Sequence, residues 1–186
     1  MKRIIMHWTA GAYAASDTDK KHYHYIIDGT GRIVAGNFKP EDNLHTVTPY
    51  AAHTRNLNTG SIGVAVAAMH GAVERPFSAG KYPITEKQVD ALVKLVARLC
   101  GEYGIPVTPE TVLTHAEVQG TLGVPQRGKW DIMWLPGMTQ AGHPSAAGDL
   151  LRNKIRTAID AQTPQPANQF MVLLGKFFAM LFGGRK

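Results

Sequence analysis

Apolar residues along this chain come first as short runs and later, beyond residue 85, at helical spacing, so strands are expected early and long helices late. Residues 2–8, with Ile4, Ile5 and Met6 together, read as a short buried strand. Residues 23–27 and 32–35 flank Asp28-Gly29-Thr30-Gly31 and read as a hairpin around that turn. From 37 to 60 the chain is polar, carries Pro40 and Pro49 and keeps no period, which predicts a long surface loop before a strand over 61–69. Long loops on small domains are often functional.

Thr85 suits an N-cap for a helix reaching about Tyr103, with Val89, Leu92, Val93, Val96 and Leu99 on one side and Gly104 as its stop. Residues 111–114 read as a further strand and 120–138 as a Gly/Pro-rich loop. A closing helix is expected over 144–161, with Leu150, Leu151 and Ile155 turned inward. This order predicts an α/β fold, a mixed central sheet flanked by helices, without internal repeats.

Length bounds the domain count: 186 residues, 44% hydrophobic, suffice for one domain and a short appendage. The domain is expected over 1–161, a linker with two prolines over 162–169, and an apolar, basic C-terminal helix over 170–186. Its apolar stretch, 170–182, is thirteen residues, short of the roughly 18–20 that span a bilayer as a helix. Flanked by Lys176, Arg185 and Lys186, it suits contact with a membrane surface; docking on the domain or on a partner protein is the alternative.

The net charge is +6, and residues 162–186 supply three of those charges without an acid, as suits an anionic surface. Basic residues elsewhere are scattered among acids, with no basic run interleaved with aromatics, so nucleic acid is not the expected partner. Cys100 is the single cysteine; it sits in the long helical pattern and reads as a buried thiol. Met1-Lys2-Arg3 opens like a signal peptide, but the apolar stretch ends at His7, so synthesis in the cytoplasm without a signal peptide is expected.

Eight histidines and fourteen acids offer many ways to build a hydrolytic zinc site, which needs three protein ligands and an open fourth position. Position narrows them: His7 ends the first strand, His115 follows the strand at 111–114, and Asp131 lies in the next loop. Adjacent strand ends could bring the three together, although Asp131 could equally cap its loop. His22, His45, His70 and His143 read as surface or satisfied core histidines.

In order along the chain stand His7-Trp8-Thr9-Ala10, Tyr23-His24-Tyr25, Ala52-His53 with Asn58 and Ser61-Ile62-Gly63-Val64, His115-Ala116-Glu117-Val118, and Lys129-Trp130-Asp131. Over about residues 2 to 160 the chain thereby resembles the zinc-dependent type 2 N-acetylmuramoyl-L-alanine amidase family, which includes phage lysozyme amidases and peptidoglycan recognition proteins. The resemblance implies Zn2+ held by His7, His115 and Asp131, catalytic roles for Tyr23 and Lys129, and a groove for peptidoglycan lined by His53 and Asn58. It implies hydrolysis of the lactyl amide between N-acetylmuramic acid and L-alanine by a phage or prophage endolysin, acting on the cell wall after release from the cytoplasm.

Two departures stand out: His115 and Asp131 lie sixteen positions apart, more than in many relatives, and Ala65 stands where many members carry a catalytic Glu. Tyr23 could instead fill a pleated face and Lys129 be merely solvated, while Glu117 reads as structural rather than as a general base. The competing functions are a non-catalytic peptidoglycan-binding module and a zinc peptidase cutting within the stem peptide.

Overall fold

The computed structural model describes residues 1–47 and 49–162. Strand β1 (Arg3–Trp8) lies inside a five-stranded sheet, paired in parallel with β4 (Ser61–Val66) on one side and β5 (Val112–Thr114) on the other. Beyond β4, β2 (Tyr25–Ile27) is again parallel, and β3 (Ile33–Ala35) closes the edge antiparallel to it, giving the order β3-β2-β4-β1-β5. This is the mixed sheet with flanking helices that the pattern of elements predicts.

The inner strands read as unbroken apolar runs because both sheet faces are covered. On one face Ile4, Met6 and Trp8 pack into the core with α2 (Glu86–Tyr103) and α4 (Pro144–Gln162). Alternation turns Ile5 and His7 to the other face. Helix α2 starts at Thr85, whose hydroxyl accepts from the Gln88 amide, and stops at Gly104 with φ 63°. Its expected apolar face is buried.

In α4 the inward residues differ from expectation. Leu151 and Ile155 are buried but Leu150 is 47% exposed, and Arg152, one residue beyond Leu151, is 1% exposed. Arg152 is tolerated there because it donates to both oxygens of Glu117 (2.7 and 3.1 Å), to Asp149 Oδ1 and to the Val112 carbonyl. The ion pair joins α4 to the first turn of α3 (His115–Leu122), where the Glu117 carboxylate also accepts from the Thr114 amide at 2.8 Å.

Residues 120–122, read as loop, complete α3. Helix α1 (Asp17–His22) escapes hydrophobic periodicity because it buries no residue; a Ser16–Asp19 capping box and basic residues in its last turn stabilise it instead. Tyr23 is its C-cap rather than a strand residue, and β2 begins only at Tyr25. The strand expected over 61–69 ends at Val66, and Met69 adopts a left-handed backbone, φ 71°. No helix among the described residues is long and apolar enough to cross a membrane. The apolar C-terminal helix expected over 170–186, and the linker from 163 onward, lie outside the described residues.

Candidate metal centre

Parallel strands present their C-terminal ends at one edge of the sheet, where open α/β sheets place ligands. The register Met6↔Thr114 sets His7 beside the next residue, His115, which opens α3; the two rings lie 4.6 Å apart, inclined by 73°. The loop after α3 returns Asp131, held by its backbone because the Ala116 amide donates to the Asp131 carbonyl at 2.6 Å. Asp131 Oδ2 lies 3.0 Å from Nδ1 of His7 and 3.0 Å from Nδ1 of His115, and the three candidate ligand atoms lie within 4.8 Å of one another.

The surroundings decide which ring nitrogen of His7 faces Asp131 with an electron pair. His53 Nε2 lies 3.3 Å from the Ser61 carbonyl, which can only accept, so that nitrogen carries the proton. His53 Nδ1 is left as an acceptor, 3.3 Å from His7 Nε2 and 2.8 Å from the Thr54 hydroxyl. His7 therefore donates from Nε2 and keeps an electron pair on Nδ1, aimed at Asp131. Burial lowers the His7 pKa to about 4, only partly offset by the neighbouring Asp131 carboxylate and reinforced by His115, so the ring is neutral at pH 7. Burial alone would raise the Asp131 pKa, but the His115 and His7 imidazoles against its Oδ2 outweigh it and hold the carboxyl below the usual carboxylate range.

Electron pairs of an imidazole and a carboxylate thus converge, and a second imidazole reaches the same carboxylate oxygen. Two nitrogens and one carboxylate oxygen are a donor set that fits zinc. The cluster opens into a cavity of about 240 Å³ lined by Tyr23, His53, Lys129, His115 and Asp131, among others. A larger hollow of about 480 Å³ lies around Asp28 and Arg32, but those two are already paired at 3.0 Å, so the smaller cavity holds the chemistry.

The Tyr23 ring lies 5.1 Å from that of His7; burial first, then the Asp131 charge, push its hydroxyl pKa up, so it keeps its proton. Lys129 is exposed at the rim. Of the two residues expected in the groove, His53 lines the cavity while Asn58 does not: Asn58 Oδ1 accepts from the His53 and Thr54 amides at 3.0 and 2.8 Å and shapes their loop. Gly63 leaves space for the His53 ring on β4.

Three contributors escaped sequence reasoning. His22, read as a surface or core histidine, lines the cavity from the end of α1. Thr54 reaches His53 and His7, and Gln126 Oε1 lies 2.9 Å from His115 Nε2. For Gln126 the only available signal was its place three residues before Lys129. Glu117, committed to Arg152 and the Thr114 amide, is structural.

The fold is shared with solved amidases. N-acetylmuramoyl-L-alanine amidase LysC from Clostridium intestinale URNW aligns with a TM-score of 0.50 and 16% identity, covering 83% of this chain and 85% of that one. The endolysin amidase LysCS from the same organism aligns with a TM-score of 0.50 and 15% identity, covering 83% of each. No curated protein matches. The sequence model of the N-acetylmuramoyl-L-alanine amidase family matches residues 1–137, and with the match extending over most of the chain the protein belongs to that family.

Proposed function

We propose that the protein is a zinc-dependent N-acetylmuramoyl-L-alanine amidase that hydrolyses the amide between the lactyl group of N-acetylmuramic acid and L-alanine in peptidoglycan. The observation that carries this reading is the convergence of His7 Nδ1, His115 Nδ1 and Asp131 Oδ2 beneath a cavity lined by Tyr23 and Lys129. When bound, zinc would supply Lewis acidity, lowering the pKa of water and polarising the amide carbonyl. His7, His115 and Asp131 would hold it.

The remaining work falls to the chain's own groups. Hydrolysis builds negative charge on the carbonyl oxygen, and the Lys129 ammonium at the rim supplies a compensating positive charge. Tyr23, which retains its proton, can donate a hydrogen bond that orients water or the carbonyl. His53 stands in the wall against which the muramyl peptide would lie.

The biological role that fits is an endolysin, made in the cytoplasm and reaching the cell wall after release. Its tail, 170–186, would contact membrane surfaces. Removing residues 165–186 would then leave cleavage of lipid-free peptidoglycan near normal and weaken action on intact cells; equal loss on both substrates would refute membrane contact.

The direct test incubates purified protein with peptidoglycan, with and without chelator and added zinc, and identifies the new ends by mass spectrometry, with His115→Ala as control. Zinc-dependent release of intact stem peptides starting at L-alanine is the expected result. Binding without cleavage would point to a recognition module, and ends within the stem would point to a peptidase.

A further inference from the structure

His115 turns one ring nitrogen toward Asp131 and the other toward Gln126, whose Oε1 is 2.9 Å from His115 Nε2. Which of the two nitrogens carries the proton depends on which way the Gln126 amide points. That is settled at its other end, where Gln126 Nε2 donates to the Arg55 carbonyl at 3.0 Å and the Val124 carbonyl at 3.2 Å. Exchanging the amide oxygen and nitrogen would set an oxygen against two carbonyl oxygens, so Oε1 must face His115. A proton therefore sits on His115 Nε2, which leaves Nδ1, the nitrogen facing Asp131, as the one available to a metal.

Gln126 is held for this task. It is 4% exposed, and its backbone N–H donates to Gln119 Oε1 at 3.0 Å, fastening the segment back to α3. His53 sets the tautomer of His7 in the same way from the opposite side.

We propose that Gln126 is a positioning residue that locks His115 in its Nε2-protonated tautomer and so presents Nδ1 to the metal, while tying the segment before Lys129 to the loop that carries His53. The metal half of this inference rests on the zinc reading above; the tautomer half does not. Outer partners of metal-bound histidines typically contribute about 10- to 100-fold to metal affinity.

The test compares the full chain with Gln126→Leu, which removes the acceptor, and Gln126→Glu, which keeps an acceptor but loses both donors. Two quantities are read: zinc affinity by competition with a chromophoric chelator, and the His115 tautomer in zinc-free protein by long-range 1H–15N NMR. The unsubstituted protein should show the Nε2–H form. Gln126→Leu should lose that preference and bind zinc about 10- to 100-fold more weakly, whereas Gln126→Glu should keep the tautomer and stay within a few-fold. Unchanged tautomer and affinity in Gln126→Leu would overturn the proposal, as would an equal loss in Gln126→Glu, which would assign the effect to loop packing. If the unsubstituted protein takes up no zinc, the proposed function fails, and the tautomer measurement alone decides on Gln126.

Discussion

Replacing Gly63 by alanine adds a single methyl group, yet it should disturb the site through His53. A Cβ at position 63 would lie 2.5 Å from His53 Cγ, 2.6 Å from Cδ2 and 2.9 Å from Nδ1, over an ångström inside ordinary carbon contact for the nearest atom. Neither side can yield easily. Gly63 pairs with Ile5 of β1, its amide donates to His24 Nδ1 at 2.9 Å and its carbonyl accepts from the His24 amide at 3.0 Å. The His53 ring is held by Ser61, Thr54 and His7.

Overpacking of this kind costs about 1–3 kcal/mol, whereas alanine in an unobstructed strand interior should gain about 0.5–1 kcal/mol over glycine. The two effects have opposite signs, so a double-mutant cycle separates them. In urea unfolding, Gly63→Ala alone should destabilise by about 1–3 kcal/mol, and in a His53→Ala background it should be neutral or slightly stabilising. Zinc affinity should fall in Gly63→Ala, because displacing His53 releases the His7 tautomer. Additivity of the two substitutions within about 0.5 kcal/mol would refute the argument.

Arg152→Met would leave the Glu117 carboxylate buried without its partner and should cost about 3–5 kcal/mol in urea unfolding, much of it recovered in Glu117→Gln/Arg152→Met. A double variant as unstable as the single one would show that shape rather than charge matters there. Acid should destabilise the metal-free protein through its buried histidines. Burial lowers the His24 pKa to about 4 and also depresses that of His53, so between pH 6.5 and 4 the unfolded chain binds protons that the folded one refuses. Stability is thus full above pH 6.5 and falls as pH drops, with His24 alone accounting for about 3 kcal/mol by pH 4. Urea midpoints of His24→Gln should follow pH less steeply across that window; an identical slope would remove His24 from the explanation.

Along the chain, local order carries its own signal. The buried strand at residues 2–8, the capped helix from Thr85 to Gly104 and the position of His7 and His115 at strand ends, with Asp131 in the next loop, were legible because period, cap and stop are properties of neighbouring residues. Helix α1 was not legible, since a helix that buries nothing leaves no period to read, and Leu150 was misplaced because one residue turns a helix by about 100°. Parallel register alone decided that His7 and His115 meet, across 108 positions of sequence that no local rule connects. The electron pairs that make those residues a metal centre depend on His53, Ser61 and Gln126 as well. Hydrogen bonding acts over about 3 Å in space whatever the separation along the chain; residue types and spacing determined the candidates, and only tertiary packing decided which nitrogen of each histidine is free to bind.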